Sequence, residues 1–549
     1  LGVFDLFGRT RHTITVPMQG LAAELENELI VQQHVAGEAP PSLFVDAVEV
    51  DYVRFALADG PAFEFGRADD GAQSVSGLSS EIVYLYDSSN PSAARYYGPT
   101  TPSESGELSF AADDTALRFV AVSPESIHAP SEIRPRFASD LRSTEQSADY
   151  LIIAASHLLT AAETLAEYRE ADGYRVLLAD IEDVYWEFAD GEPDPIAIRD
   201  FLRFAHRNWE TGPRFVTLVG KGSLDYRDLQ GLGGNWVPPA LAMTEGGLFP
   251  SDSLLADVVG YDAVPDIAIG RLPISSGEEL RRILSAIEAF EADHEAMGTL
   301  FAADNSEHRE FADAARILST WTSAERLREI DLNSDGLEEA RARLFSIWGE
   351  SLSWLNYVGH GGLDRMGDEG WLTSDDVPAL VELRSRPVVL AWSCNLLRFD
   401  IPGFVSIGEA LLASGSTAGV FSATGWSNHV DTDALRTALT EATLASDAET
   451  LGEAILRGHR AAAGVPTELH RVYMLLGDPA LRLRQPKSEP DPEPNPPPSE
   501  PPEPPSPAPG ASPRSSSGCE IKPPGDVGEP LWPSLALLLL AMTIRRRRA

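Results

Sequence analysis

The chain has 549 residues, with 84 aspartates and glutamates against 43 lysines and arginines, and a formal net charge of −41 at pH 7. This length leaves room for two or three domains with a large core. Because binding to a phosphate backbone needs a concentrated basic face, the composition argues against a nucleic-acid partner. The two cysteines, Cys394 and Cys519, lie in different regions of the chain, so no disulfide is expected within a domain.

Residues 1–145 are predicted to form an antiparallel β-sandwich domain. Short alternating segments recur at 12–16, 28–32 and 116–122, with turn residues between them and no long helical period. This pattern is typical of all-β domains. No signal-peptide pattern precedes residue 1, so we expect the chain to be a trimmed form that lacks its signal peptide.

Residues 148–485 are predicted to form an α/β domain. Amphipathic helices are expected at 161–171, 196–209 and 277–294, and a further buried strand at 417–423. Strands that alternate with helices in this way are typical of βαβ units and a mostly parallel sheet.

Two of the predicted strands end in a reactive side chain. The apolar run 352–358 leads into Gly-His-Gly-Gly with His360, and the run 387–393 leads into Cys394. If the strands are parallel neighbours, both side chains emerge at the carboxyl edge of the sheet, where open α/β sheets bind ligands. The pattern then indicates a cysteine nucleophile with a histidine base. A buried structural cysteine and a simple tight turn are the alternatives that these two features leave open.

The end of the chain is predicted to be a disordered linker followed by a sorting or anchoring segment, 531–549. Residues 486–530 contain 17 prolines, a composition that forms an extended spacer and no core. The apolar run 531–544 is shorter than the ~20 residues of a spanning helix. Four arginines follow this run, which suits a positive cytoplasmic end.

The segment from Cys519 onward resembles the MYXO-CTERM type of sorting signal, in which a cysteine precedes an apolar helix and an arginine cluster. The resemblance implies that the tail is removed and that the protein is attached at the cell surface through Cys519. A plain tail anchor in the membrane is the alternative. Either arrangement places the folded domains outside the inner membrane.

From about Tyr150 to Arg484 the chain resembles the gingipain-type cysteine peptidases of family C25, in the caspase-like clan. The matching segments occur in family order: 149–155, 194–202, 215–220, 265–273, 356–362, the strand before Cys394, and 476–483. The resemblance implies a caspase-like peptidase domain of two subdomains with mostly parallel sheets, the second carrying the catalytic pair. The region 1–145 resembles the β-domain that precedes the peptidase in some members.

The catalytic roles follow from the strand ends and from this resemblance. Cys394 is assigned as the nucleophile, and His360 as the base that later protonates the leaving amine. The backbone N–H of Gly361 is implied as an oxyanion donor, beside that of Cys394. Asp304 lies where gingipains carry a glutamate directed toward the histidine, and its side chain is one methylene shorter.

The specificity of the site is only partly implied by the resemblance. Trp426 occupies the region that supplies an aromatic wall to the specificity pocket. The family insertion that carries an acidic residue for arginine or lysine preference is short in this chain, so that preference is not implied. Glu307 or Glu310 could replace the missing acid, although simple surface solvation is the alternative. For the acid behind the histidine, two further alternatives to Asp304 are left open, Asp364 and Asp368.

No cofactor is expected to be required, but the resemblance implies a structural calcium site. Its ligands would be Asp262, Asp266 and the backbone carbonyls of residues 259 and 264, which are oxygen donors of the kind that Ca²⁺ prefers. An aspartate of the family pattern is replaced by Lys221. Our hypothesis is that the Lys221 ammonium occupies the place of the ion, paired with Asp262 and Asp266.

The leading functional prediction is an extracellular, surface-anchored cysteine endopeptidase that hydrolyses protein or peptide substrates through an acyl-enzyme. The alternatives are a sortase-like transpeptidase that attaches cargo proteins at the cell surface, and an inactive surface adhesin. The expected partners are protein substrates and, through the tail, the membrane or cell surface.

Overall fold

The structure is a computed structural model that describes residues 56–68, 72–113, 115–129, 139–293 and 298–483. The chain divides near residue 136 into two compact units. Segments outside these ranges include the predicted strands at 12–16 and 28–32, the proline-rich linker, Cys519 and the segment 531–549. None of the helices in the described ranges combines the length and the apolar character needed to span a bilayer.

The described part of the amino-terminal unit is built from antiparallel strands. These are β1 (Ala62–Gly66), β2 (Gln73–Val75), β3 (Val83–Asp87), β4 (Arg95–Thr100), β5 (Leu108–Phe110) and β6 (Arg118–Val122). One sheet has the order β1-β6-β3-β4, and β2 pairs with β5. Buried residues of both sheets, such as Phe63, Phe119 and Val75, share one core. The antiparallel sheets predicted for this region are therefore confirmed within 56–129.

The second unit alternates strands with helices, as predicted. Its strands are β7 (Tyr150–Ala154), β8 (Val176–Asp180), β9 (Phe215–Val219), β10 (Leu241–Thr244), β11 (Gly247–Pro250), β12 (Ala268–Leu272), β13 (Gly298–Ala303), β14 (Leu327–Asp331), β15 (Leu352–Val358), β16 (Arg365–Met366), β17 (Leu372–Thr373), β18 (Val388–Trp392), β19 (Gly419–Ala423) and β20 (Tyr473–Gly477).

The helices of this unit cover both the predicted positions and several shorter connections. They are α1 (Leu159–Ala171), α2 (Ile181–Phe188), α3 (Pro195–Asn208), α4 (Ser253–Ala256), α5 (Gly277–Asp293), α6 (Glu310–Ser319), α7 (Leu332–Asp335), α8 (Leu337–Glu350), α9 (Val377–Val381), α10 (Ile407–Ala413), α11 (His429–Leu444), α12 (Leu451–Ala461) and α13 (Thr467–Val472). The three predicted amphipathic helices correspond to α1, α3 and α5, and the predicted strand 417–423 corresponds to β19.

The main sheet of the second unit has ten strands in the order β14-β13-β15-β18-β19-β20-β12-β9-β7-β8. Neighbours within β14-β13-β15-β18-β19 are parallel, as are neighbours within β20-β12-β9-β7-β8. The two halves meet at β19 and β20, which are antiparallel. The two predicted subdomains are thus two parallel half-sheets within one continuous sheet.

The junction between β20 and β12 depends on a close backbone approach. These strands pair through one residue pair, Arg271 with Leu476. A Cβ atom on Gly270 would lie 2.2 Å from the carbonyl oxygen of Gly477, so a side chain at residue 270 would push the strands apart.

A buried ion cluster holds the end of β20 against the helices. Arg169 in α1 donates from Nε to Asp478 at 2.7 Å and also pairs with Asp172 at 2.7 Å and with Glu291 of α5 at 3.1 Å. Arg169 and Asp478 are both fully buried. Loss of one partner would leave a buried charge uncompensated, so this cluster fixes the segment after β20 against α1 and α5.

Two buried histidines make the stability of this unit sensitive to acid. His459 of α12 and His470 of α13 are each 1% exposed, and their Nδ1 atoms lie 2.9 Å apart. Burial, with a smaller contribution from His470, lowers the pKa of His459 to about 3. Because the folded-state pKa lies below the unfolded value, this group favours folding fully above about pH 6.5 and progressively less below it.

We expect the free energy of unfolding to fall between pH 7 and pH 4.5, with His459 contributing up to ~1.4 kcal/mol per pH unit below its unfolded pKa. His459→Asn keeps a polar group near the position of Nδ1 and removes the titration. Denaturant unfolding at both pH values should therefore show a smaller acid loss in the variant. Equal losses in both proteins would contradict this account.

Candidate active site

The two predicted reactive side chains lie at the ends of neighbouring strands. β15 and β18 are parallel and pair up to Val358 and Trp392. His360 and Cys394 each follow two residues after this last pair, so both lie at the carboxyl edge of the same half-sheet, as the sequence predicts. Since paired strands lie ~4.8 Å apart, the two loops run side by side.

The loop after β15 packs directly on the segment that carries the thiol. A Cβ atom on Gly361 would lie 2.3 Å from Ser393 Oγ and 2.6 Å from the Cys394 carbonyl oxygen. Residue 361 must therefore be glycine for the loop to sit this close. Among the described residues, the backbone N–H groups of Gly361 and Cys394 have no hydrogen-bond partner in the protein. Two backbone donors in these adjoining segments are thus without a partner within the described part of the chain.

The backbone of His360 is held from two sides. The Asp304 carboxylate, at the end of β13, accepts a hydrogen bond from the His360 N–H at 2.9 Å. The Tyr357 hydroxyl donates to the His360 carbonyl at 2.8 Å. Asp304 is fully buried and also accepts from the N–H of Asn305 at 2.9 Å. Burial raises the pKa of Asp304, and these backbone hydrogen bonds act in the opposite direction.

Asp304 therefore contacts the backbone of His360, and among the described residues no hydrogen bond joins its carboxylate to the imidazole ring. The shorter aspartate side chain is consistent with this, because it ends one methylene earlier than a glutamate. Of the two alternative acids, Asp364 forms an ion pair with its neighbour Arg365 at 2.9 Å. Asp368 is exposed on the same loop.

The imidazole of His360 is exposed, and its edge packs on Phe311 of α6 with ring centroids 5.1 Å apart. Phe311 contacts His429, at the start of α11, in the same way at 5.0 Å. Within the described residues no hydrogen bond joins the His360 ring to Cys394. Catalytic hydrogen bonds often tighten only when substrate binds, so this geometry is compatible with a histidine base.

The thiol of Cys394 is free and partly buried. Its Sγ lies 3.4 Å from both the backbone nitrogen and the carbonyl oxygen of Ser427, in the loop after β19. The Asn395 N–H donates to the Gly425 carbonyl at 3.1 Å. The loop 425–427 is therefore fixed against the thiol segment.

Trp426 lies in this same loop and is 67% exposed. A Cβ atom on Gly246, in the turn between β10 and β11, would lie 3.1 Å from its indole. The indole of Trp426 thus offers an exposed aromatic face near the thiol and packs on the β10–β11 hairpin. Glu307 is exposed, and Glu310 begins α6 one residue before Phe311, at the rim near the imidazole.

The interaction proposed for Lys221 is wrong. Its ammonium pairs with Glu409 of α10 at 3.0 Å and donates to the Phe404 carbonyl at 3.0 Å. Lys221 follows β9, and the loop after β18 brings Glu409 to it, whereas Asp262 and Asp266 lie before β12. The lysine therefore does not stand in for an ion between those aspartates.

The two aspartates expected to bind calcium accept hydrogen bonds from nearby backbone N–H groups. Asp266 accepts from the N–H groups of Val258 and Val259 at 2.9 and 2.7 Å, and Asp262 accepts from that of Val264 at 3.0 Å. In the described ranges no group of three or more acidic, histidine or cysteine side chains is arranged to hold a metal. The carboxylates of Asp262 and Asp266 thus already accept backbone hydrogen bonds, and calcium binding through them stays a prediction.

Sequence reasoning missed three residues that contact the site: Phe311, Ser427 and His429. The Ser-Asn-His run before α11 carries a local signal, since Asn428 caps that helix by accepting from the Val430 N–H at 2.8 Å. That signal predicts the start of a helix but not its contact with the thiol. Phe311 reads in sequence as an ordinary core residue of an amphipathic helix.

Comparisons with known proteins found a family model and solved structures that are similar to this chain. The model of peptidase family C25 matches residues 143–484. The fold is similar to the Arg-specific cysteine proteinase gingipain R, with a TM-score of 0.51 and 16% identity over 65% of this chain and 80% of that one. It is also similar to the complex of Porphyromonas gingivalis RgpB pro- and mature domains, with a TM-score of 0.50 and 16% identity over 60% and 79%. No curated protein sequence matches the chain.

The contact at residue 361 can be tested directly. Gly361→Ala should lower peptidase activity by about 10²-fold, because a displacement of about 1 Å in a catalytic loop has that effect. Gly362→Ala is the matched control, since its Cβ would lie 3.5 Å from Arg365 in ordinary contact. Hydrolysis of a casein substrate by the two purified variants gives the comparison. Equal activity in both would show that the close contact is not needed.

Proposed function

The chain belongs to peptidase family C25 and is a cysteine-type endopeptidase, and on that premise we propose that it cleaves proteins with Cys394 as nucleophile and His360 as base. The observation that carries this assignment is the parallel pairing of Val358 with Trp392, which brings the histidine loop beside the thiol. A thiol buried in the interior, or an imidazole on the other face, would not support it.

The proposed first step is attack by the Cys394 thiolate on the scissile carbonyl carbon. The thiol proton passes to His360, and the carbonyl oxygen takes the negative charge. Removal of one oxyanion donor typically costs about 3–4 kcal/mol of transition-state stabilisation. The partner-free N–H groups of Gly361 and Cys394 support this role, since Cys394 carries the sulfur and Gly361 packs against its segment.

In the second step, His360 donates its proton to the amine as the carbon–nitrogen bond breaks, which leaves a thioester on Cys394. Water then attacks the thioester, with His360 again as base. We propose that Asp304 acts on this cycle through the backbone of His360, since its carboxylate fixes that N–H at 2.9 Å. The exposed ring is then able to turn between sulfur and leaving group while its backbone stays in place.

We propose Trp426 as a wall of the pocket for the substrate side chain next to the scissile bond. Its exposure and the direct contacts of its neighbours Gly425 and Ser427 with the Cys394 segment support this position. An exposed aromatic face binds long aliphatic stems and planar groups equally well. Preference for a basic side chain would need an acid such as Glu310 at the same rim.

The proposed location is outside the cell, with attachment at the surface through Cys519. This rests on the sequence of the tail, in which the proline-rich linker 486–530 joins the peptidase unit to the cysteine, the apolar run and the arginines. Such a linker behaves as an extended spacer, which would hold the catalytic unit away from the membrane.

Cys394→Ala and His360→Ala should each lower the cleavage rate of a mixed peptide library by at least ~10³-fold, because both residues take part in every step. Cys519→Ser removes the other cysteine and should keep the wild-type rate. Mass spectrometry of the products also identifies the residues around the cleaved bond. An active Cys394→Ala variant would refute the mechanism.

The same library with an added amine nucleophile separates hydrolysis from transpeptidation. Hydrolysis predicts free carboxyl termini as the main products. Ligated products in preference to free acids would replace the endopeptidase proposal with a sortase-like one.

Cys519→Ser should also release the protein from the surface of cells that produce it, since the proposed attachment uses that thiol. Fractionation and immunoblotting would then show the variant in the medium, or as a longer form in which the tail has not been removed. Unchanged surface attachment would favour a plain tail anchor.

A further inference from the structure

We propose that Ser427 is a further catalytic residue, which donates two hydrogen bonds to the thiolate of Cys394, and that Tyr473 positions it. This inference rests on the proposed nucleophilic role of Cys394. It concerns the step before attack, in which the sulfur loses its proton to His360 and becomes negatively charged.

Deprotonation changes the sulfur of Cys394 from a hydrogen-bond donor to an acceptor. In the neutral thiol, the S–H group donates to the Ser427 carbonyl at 3.4 Å. The thiolate has no proton to donate, but it is a strong acceptor. The Ser427 N–H, at 3.4 Å, and the Ser427 hydroxyl, at 3.8 Å, are then the donors within reach of Sγ. One residue thus supplies two donors to the charged form.

Tyr473 decides in which direction the Ser427 hydroxyl donates. The Tyr473 hydroxyl donates to Ser427 Oγ at 3.1 Å. A serine oxygen that accepts from one side still carries its own proton, and Sγ is the acceptor on the other side. Without Tyr473, the serine hydroxyl would be free to rotate away from the sulfur.

Tyr473 is held rigidly in the sheet and keeps its proton. It is the first residue of β20, is fully buried, and lies against Phe421 and Trp392 with ring centroids 5.9 and 5.5 Å away. Burial raises the pKa of Tyr473 to about 12, so the hydroxyl stays a donor at neutral pH. β20 belongs to the other half-sheet, so the antiparallel junction with β19 is what brings this donor to the site.

Three other charged or titratable groups lie near Cys394, Ser427 and Tyr473. His360 lies in the loop after β15, which packs on the segment that carries the sulfur. Arg436 of α11 lies close enough to act on Tyr473, and it is itself paired with Asp433 at 2.6 Å. The variants Ser427→Ala and Tyr473→Phe leave His360, Arg436 and Asp433 in place.

The test is the pH dependence of Cys394 alkylation in the full-length protein, measured with iodoacetamide and peptide-resolved mass spectrometry. Only the thiolate reacts at an appreciable rate, so the midpoint of the rate against pH reports when it forms. Ser427→Ala removes the hydroxyl donor and should move the midpoint up by about one pH unit, the size expected for one hydrogen bond to a charged group. Tyr473→Phe should move it in the same direction by a smaller amount.

Matched controls separate this role from packing. Ser416→Ala removes a buried hydroxyl that bonds the Leu411 carbonyl, and Tyr150→Phe removes the hydroxyl of a fully buried tyrosine on β7. Both should leave the midpoint at its wild-type value. Ser427→Thr keeps a hydroxyl and should restore it. A Ser427→Ala midpoint equal to that of Ser416→Ala would overturn the proposal.

The outcomes distinguish this inference from the proposed function, because alkylation needs no substrate. If Ser427→Ala does not fold, Tyr473→Phe tests the same relay through the removal of one oxygen atom, and an unchanged midpoint there overturns the positioning role. A shifted midpoint in a protein that cleaves no peptide would retain the thiolate inference and reject the peptidase assignment. Normal peptide cleavage with unshifted midpoints would retain the peptidase assignment and reject the thiolate inference.

Discussion

The site depends on one close contact between two loops at the carboxyl edge of the sheet. Parallel pairing of β15 with β18 brings the two loops side by side, and glycine at residue 361 lets them touch. This contact fixes the positions of the His360 backbone, the two partner-free N–H donors and the sulfur together. The proposed nucleophile, base and oxyanion donors therefore share one support, which is the kind of preorganisation that the proposed mechanism needs.

A second constraint comes from the way the two half-sheets join. Among the described residues β20 is the last strand, yet it lies in the middle of the sheet, antiparallel to β19 and parallel to β12. The hydroxyl of its first residue, Tyr473, donates to Ser427 in the loop beside the thiol. Asp478, the residue after its end, accepts from Arg169 in the buried ion cluster. The same strand thus supports the site at one end and ties the two halves together at the other.

The placement of the two reactive groups at neighbouring strand ends could be predicted because its signal is local, whereas their catalytic roles stay a prediction. His360, Gly361 and Cys394 follow strands whose apolar runs can be read directly, and glycines beside a histidine indicate a close backbone approach. The prediction failed at Lys221, whose partner Glu409 lies 188 positions later in the numbering and depends on the loop after β18. For Asp304, resemblance indicated proximity to the histidine, but side-chain length and burial decided that the contact is to the backbone.

From the amino-acid sequence alone, the alternation of strands and helices, the two strand ends with reactive groups and the family order of motifs were all accessible, because each is a pattern over a few neighbouring residues. The neighbours of each strand, the single continuous sheet and the approach of Ser427 and Tyr473 to the thiol were decided by the tertiary structure. Those contacts join residues far apart in the chain. Their formation depends on strand order, direction and register, which packing of the whole core selects and no local pattern encodes.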